Sequence, residues 1–301
     1  MDLPADLRQT LHDVHDDAGP WLAALPALLR GLETRWALRL SGLAPELSYH
    51  LVLYAEREDG APCVLKLSPP SSELAREADA LEYYAGDGVC RLLARDDGVG
   101  ALLLERVLPG ISLQETWTLE RDHEHTRAAA ELMARLWRPV EPDAPFRSLP
   151  HWARALERPS GAVPDGLRAG VGALLSSLEP DGERVLLHAD LHHGNILSEG
   201  KSDEPRYRAI DPKGVVGARG YEVGPYLLNP LAARAETLLA LLPRRLAAFA
   251  EVLGLEPQHL ARWGLVHAVL SACWSAEEHG EKDLRSLEFA AGLAAYLRAR
   301  S

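Results

Sequence analysis

An α+β fold of two lobes is what this sequence predicts: a small N-terminal lobe with an antiparallel sheet and a larger, mostly helical C-terminal lobe. Three observations carry the prediction. Short strand-like runs, LVLYAE and CVLKL, flank the turn-forming Glu58-Asp59-Gly60 in the first quarter of the chain. Beyond Pro109-Gly110, apolar positions recur at helical spacing over most of the remaining length. From Arg184 to Ile210, strand-like VLL, NIL and RYRAI interrupt that helical texture around a cluster of His, Asp and Asn. The boundary is placed near residue 107, giving lobes 1–107 and 108–301.

In chain order, Leu3, Leu7 and Leu11, then Trp21, Leu22, Leu25, Leu28 and Leu29, lie at helical spacing. Gly19-Pro20 and Pro26 are expected to break this region into short helices. Trp36 to Leu67 reads as the hairpin. After Pro69-Pro70, Ser72 is a candidate cap for a helix through SELAREADALEYY, with Leu74, Ala78 and Leu81 as its buried stripe. Strand-like runs follow around Arg91–Arg95 and Ala101–Leu108. Ala129, Leu132, Met133, Leu136 and Trp137 make one helical face, and Leu167, Val171, Leu174, Leu175 and Leu178 another. Past Ile210 the chain returns to Ala- and Leu-rich helices.

Composition narrows the function classes. The 301 residues carry a formal charge of −12, which repels nucleic-acid phosphates and anionic lipid. An acidic surface attracts a cationic ligand, although solubility alone also accounts for the charge. The first residues lack a basic stretch leading into an apolar run, and nowhere do roughly 18 apolar residues run uninterrupted; a soluble, cytoplasmic protein is expected. Cys63, Cys90 and Cys273 are far apart and form no CxxC pair, so neither a disulfide framework nor a cysteine zinc site is expected.

The segment richest in chemistry is His188-Ala189-Asp190-Leu191-His192-His193-Gly194-Asn195, followed by Ala209-Ile210-Asp211. It spells HxDxxxxN and then an Asp at a strand end. Phosphoryl transfer needs a carboxylate to orient the attacking hydroxyl, and an amide oxygen with a second carboxylate to hold Mg²⁺ against the phosphates. Asp190 is the candidate catalytic carboxylate, and Asn195 and Asp211 are the candidate metal ligands. Two other readings stand beside this one. Asp190 and Asn195 can stabilise a polar turn, or His188, Asp190, His192 and His193 can hold zinc in a hydrolase.

The N-terminal half points the same way. Lys66 sits inside the apolar strand CVLKL, where an ammonium is costly unless it meets an anion such as a nucleotide phosphate. Strand alternation puts Val64 and Lys66 on one face and Cys63, Leu65 and Leu67 on the other. A snorkelling surface lysine is the plainer alternative. Glu77, beside the Leu74–Leu81 stripe, is the expected partner of Lys66; Glu73 falls in the first turn, where the helix dipole explains it. Backbone groups around Glu105 and Val107, ahead of Pro109-Gly110, are candidates to read an adenine edge. The stretch from Leu40 to Tyr49 has one glycine where a glycine-rich phosphate loop is expected, with Ser41 and Ser48 as possible contacts.

Taken together, VLKLSPP with EADAL, GALLLERVLPGISL, LLHADLHHGNIL and AIDPKGVVGARGYEVGPYLLNP make the chain resemble the aminoglycoside phosphotransferase superfamily, and within it the aminoglycoside/hydroxyurea resistance kinases. The resemblance spans nearly the whole chain. It implies a protein-kinase-like fold with ATP between the lobes, Mg²⁺, and transfer of the γ-phosphate to a hydroxyl of a small molecule such as streptomycin. It gives Asp190, Asn195 and Asp211 the roles argued above. Ala218 and Arg219 stand in a stretch where family members often carry an Asp, which leaves the substrate open. Glu277 and Glu278, with Glu281 and Asp283, are candidates to hold a cationic substrate, or form a solvated helix end. Glu222 either faces the substrate or ties down its loop. A metabolite kinase and a nucleotide-binding regulatory protein remain as alternatives.

Overall fold

The computed structural model of the chain describes residues 3–300 apart from 16, 46–48, 142, 181–183 and 201–205. The backbone divides into two compact units, Met1–Leu108 and Pro109–Ser301.

The first unit runs α1 (Ala5–Val14), α2 (Ala18–Trp36), β1 (Leu38–Leu43), β2 (Leu51–Arg57), β3 (Pro62–Leu67), α3 (Ser72–Tyr84), β4 (Leu92–Asp96) and β5 (Ala101–Glu105). The strands form one antiparallel sheet in the order β1-β2-β3-β5-β4. Gly60 makes the hairpin between β2 and β3 possible, because its φ of +80° is one that side chains resist. Leu51 and Leu53 on β2 and Leu65 and Leu67 on β3 are fully buried, and they share a core with Leu7 and Leu11 of α1 and Leu25, Leu29 and Leu32 of α2. The alternation that buries Leu65 and Leu67 turns Lys66 to the opposite face.

Two local expectations are corrected here. Gly19-Pro20 and Pro26 do not break α2, which is one helix of 19 residues. Pro20 lies in the first turn, where backbone N–H groups need no helical partner, and the buried leucine stripe on either side of Pro26 holds that turn in place. The cap of α3 is Ser71 rather than Ser72; its Oγ accepts from the Leu74 N–H at 3.3 Å. Of the stretch expected to cover phosphates, Ser41 lies in β1, and Ser48 lies outside the described residues.

The second unit opens with β6 (Pro109–Ser112), α4 (Asp122–Leu136), β7 (Arg138–Pro139), β8 (Arg147–Ser148), α5 (Leu149–Trp152) and α6 (Asp165–Leu178). It continues through β9 (Arg184–Leu187), β10 (Ile196–Glu199), β11 (Arg206–Ala209), β12 (Val215–Ala218) and α7 (Val223–Leu227) to the long α8 (Ala235–Leu253), α9 (Pro257–His279) and α10 (Leu284–Arg298). Its strands form two small sheets, β11-β10-β6 and β7-β9-β12-β8. Trp137 stands just past the end of α4 with extended backbone rather than continuing its buried face.

Helices α4 and α8 are joined by a buried ion pair. Arg245 Nε donates to Asp122 Oδ1 at 3.0 Å, and Arg245 Nη1 reaches the carbonyl of Asn229 at 2.7 Å. Both side chains are sealed from solvent, so each charge depends on the other. Among the described residues, no helix is long and apolar enough to cross a membrane.

Candidate active site

The register of the four-stranded sheet assembles this region. Leu187, the last residue of β9, pairs with Val215, the first of β12. The loop leaving β9 and the loop entering β12 therefore emerge at the same end. Two backbone bonds stitch them together: Lys213 N–H to the His188 carbonyl at 2.8 Å, and Ile210 N–H to the Asn195 carbonyl at 3.0 Å. Asp190, Asn195 and Asp211 are thus on adjoining loops although 21 residues separate the first from the last in sequence.

His188 is an internal strut. Its Nε2–H donates to the Ile210 carbonyl at 2.8 Å, and its Nδ1 accepts from the Asp190 N–H at 3.3 Å. Burial drives its pKa down to about 3, so the ring is neutral and each nitrogen keeps a fixed role. The other side of the loop is held by Glu222, whose Oε2 accepts from the His188 N–H at 2.8 Å and whose Oε1 accepts from the Ala189 N–H at 2.9 Å. Ala189 has a φ of +66°, an uncommon conformation for a residue with a side chain, and these bonds sustain it.

Glu222 therefore does not face a substrate, which corrects one of the two readings offered for it. Its side chain is wholly buried and both oxygens are engaged with backbone. Burial raises its pKa to about 7 against the lowering effect of the two N–H bonds, and the nearby Asp190 charge raises it further.

Asp190, set by these partners, remains about one-third exposed, with Oδ1 3.9 Å from His192 Nε2. Asn195 donates from Nδ2 to the Asp190 carbonyl at 3.0 Å, which leaves its amide oxygen pointing elsewhere. Asp211 also has a positive φ, +62°, and its Oδ1 lies 3.1 Å from Lys213 Nζ. An amide oxygen and a carboxylate are hard donors of the sort Mg²⁺ takes alongside phosphate oxygens, so the residues present fit that ion. They do not fit zinc. Among the described residues no three His, Cys, Asp or Glu side chains gather into a metal-binding group. His188 is committed to backbone, and His193 is buried, stacked on Tyr226 with ring centroids 4.0 Å apart.

In the first unit, Lys66 Nζ meets Glu77 Oε2 at 2.7 Å. Both side chains are buried, Lys66 at 6% and Glu77 at 2% exposed, whereas Glu73 lies exposed in the first turn of α3. Glu105 is tied to Arg91 twice: its N–H donates to the Arg91 carbonyl at 2.8 Å, and its Oε2 accepts from the Arg91 N–H at 3.1 Å. That N–H is not available to an adenine edge, which narrows the expectation to the other backbone groups of the segment through the buried Val107.

The acidic residues near the C-terminus are held in different ways. Glu277 is paired with Arg158 at 3.1 Å. Asp283 caps α10 by accepting from the Ser286 N–H at 3.0 Å. Glu278 and Glu281 are exposed. Sequence reasoning missed Lys213 and Tyr221. Lys213 was marked only by its place two residues after Asp211, and Tyr221 by its place beside Glu222.

The fold and this pair of loops define the protein as a protein-kinase-like enzyme, an ATP-dependent small-molecule kinase. Similar solved structures include a choline kinase from Streptococcus pneumoniae (TM-score 0.65, 13% identity, covering 91% of this chain and 100% of that one) and an amicoumacin kinase (TM-score 0.58, 15% identity, 95% and 96%). A family model described as aminoglycoside/hydroxyurea antibiotic resistance kinase matches residues 35–279, and the chain belongs to that family. Its relatives include a streptomycin 6-kinase of Streptomyces glaucescens, 31% identical over 87% of either chain, and a hydroxyurea phosphotransferase of Kitasatospora aureofaciens, 34% identical over 96% of this chain and 84% of that one.

Proposed function

We propose that this kinase transfers the γ-phosphoryl group of ATP directly to a hydroxyl of its acceptor, with Asp190 as the catalytic carboxylate. The acceptor oxygen bonds to the γ-phosphorus, the bond from that phosphorus to the bridging oxygen breaks, ADP leaves with the electron pair, and the hydroxyl proton passes to Asp190. Asn195 and Asp211 hold Mg²⁺, which when bound offsets the phosphate charge. Lys66, fixed by Glu77, restrains the nucleotide phosphates, and backbone of the Glu105–Val107 segment meets the base. The observation that carries this reading is the anchoring of the Asp190 loop, by His188 and Asn195 at Asp190 itself and by Glu222 at the His188 and Ala189 N–H groups, with the Asp190 carboxylate left partly exposed.

The acceptors of the relatives, streptomycin first and hydroxyurea second, are the starting reading for the acceptor here, making the chain an antibiotic-inactivating enzyme. The second reading is a kinase of a small metabolite, such as an amino alcohol or a sugar derivative. Asp190→Ala should lower turnover by orders of magnitude while a nonhydrolysable ATP analogue still binds. Undiminished turnover in that variant would remove Asp190 from the reaction.

A further inference from the structure

Lys213 has no task in the reaction above, although it stands two residues after Asp211 with its Nζ 3.1 Å from Asp211 Oδ1. Its backbone is pinned to the catalytic loop. The Lys213 N–H donates to the His188 carbonyl at 2.8 Å, while the His188 ring holds the Ile210 carbonyl and the Asp190 N–H. The root of the side chain is thus fixed on the framework that carries Asp190 and Asp211, and the flexible four-carbon stem is the part that can move.

Charge gives that stem a second destination. In sequence, residues 188–195 and 210–214 contain no lysine or arginine other than Lys213. His188 and His193 are buried and stay neutral, because burial penalises their charged forms. Transfer spreads negative charge over the γ-phosphoryl oxygens, and a cation already in place is what stabilises it. Lys213 is the permanent positive charge that these two loops bring.

Its pairing also differs from the structural ion pair of the same unit. Arg245 and Asp122 are 1% and 0% exposed, sealed from any ligand, whereas Lys213 and Asp211 keep 13% and 28%. A carboxylate open to this degree can exchange one cation for another without stranding a charge in the interior. Mg²⁺ and an ammonium on one carboxylate repel each other. A metal held by Asp211 therefore loosens Lys213 at the place where phosphate oxygens arrive.

We propose that Lys213 is a further catalytic residue, whose ammonium leaves Asp211 as metal and nucleotide bind and pairs with the γ-phosphoryl oxygens, offsetting their charge as the group passes to the acceptor. No proton moves to or from Lys213; the hydroxyl proton still passes to Asp190. The proposal rests on the kinase reading above and adds to it the residue that senses the γ-phosphate.

Lys213→Met tests this, since the backbone bond to His188 survives the substitution. Lys213→Gln, which keeps a polar end for Asp211, serves the same purpose if the first variant unfolds. Two equilibrium readouts need no acceptor. Calorimetric titration with ADP and with a nonhydrolysable ATP analogue at saturating Mg²⁺ isolates the contribution of the γ-phosphate, and thermal midpoints against Mg²⁺ at saturating ADP measure the hold on the metal. The preference for the ATP analogue over ADP should shrink about tenfold in the variant. Half-saturating Mg²⁺ should fall about threefold, because the competing cation is gone. Turnover is read separately, as ADP release with streptomycin, hydroxyurea and choline as acceptors; kcat/KM for ATP should fall about a hundredfold, more than the loss of binding.

An unchanged preference for the ATP analogue would overturn the proposal, and so would a Mg²⁺ requirement that rises in the variant, which would make Lys213 a support for the metal ligand. A loss of turnover no larger than the loss of affinity would confine Lys213 to holding nucleotide and count against a catalytic role. Both equilibrium shifts in a parent protein that phosphorylates none of the acceptors would support Lys213 as the γ-phosphate partner and count against the kinase reading instead.

Discussion

At the scale of single residues, the two buried carboxylates Glu77 and Glu222 behave differently because their partners differ. Glu77 faces an ammonium, and removing that partner leaves a charge stranded in the interior, typically a loss of about 3–5 kcal/mol. Lys66→Met should accordingly destabilise the protein and raise KM for ATP. In the double variant Lys66→Met/Glu77→Leu, denaturant unfolding should show much of the stability restored while the KM defect persists. Joint recovery of both would make Lys66 purely structural. Glu222 has only backbone N–H partners, and burial raises its pKa from 4.5 to about 7. Between those values the folded chain keeps a proton that the unfolded chain has released. Its stabilising contribution is therefore full below pH 4.5 and is lost as pH rises through about 7. Relative to Glu222→Gln, which does not titrate, the thermal midpoint of the parent should fall between pH 5 and pH 8. Parallel midpoints would show that Glu222 stays ionised across that range.

At the scale of elements, what could be read from sequence was what lies close in sequence or repeats with a short period. The HxDxxxxN spacing sits on one loop, and the pairing of Lys66 with Glu77 follows from strand alternation and one helical face. Leu74, Ala78 and Leu81 of α3 are buried as their spacing predicts. What stayed hidden depends on long-range register. Strands β7 and β8 are two residues long and carry no periodicity of their own, yet β8 brings Arg147 to within two strands of the catalytic loop. Glu222 finds its partners 33 and 34 residues away, and Asp122 finds Arg245 across 123. The Asp122–Arg245 clamp between α4 and α8 yields a prediction of its own. Burial opposes ionisation of Asp122, but the Arg245 bonds and charge outweigh it and hold the carboxyl below its ordinary value. That contribution is present above the unfolded pKa of about 3.8 and is lost as pH falls through the folded value. Arg245→Met should cost several kcal/mol near neutral pH, and acid titration followed by circular dichroism should show the variant unfolding at a higher pH than the parent. Coincident acid transitions would mean the clamp contributes no net stability.

At the scale of the whole molecule, binding and turnover are assigned to different residues, and ligand-linked stability can separate them. Any ligand that binds only the folded chain stabilises it by about 2.7 kcal/mol at one hundred times its Kd, enough to move a thermal midpoint by several degrees. Asp190 orients the acceptor and carries no metal or phosphate in this reading. Asp190→Ala should therefore keep the stabilisation given by Mg²⁺ with a nonhydrolysable ATP analogue. Asp211→Ala and Lys66→Met, which remove a metal ligand and a phosphate partner, should lose much of it at the same ligand concentration. The charge of the chain sharpens the comparison, since at −12 it repels a polyanionic nucleotide unless Mg²⁺ and Lys66 offset the phosphates. Omitting Mg²⁺ should then diminish the shift in the parent and change little in Asp211→Ala. A full Mg²⁺-dependent shift in Asp211→Ala would take the metal away from this aspartate, and loss of the shift in Asp190→Ala would mean that the carboxylate assigned to the acceptor hydroxyl is holding the nucleotide instead.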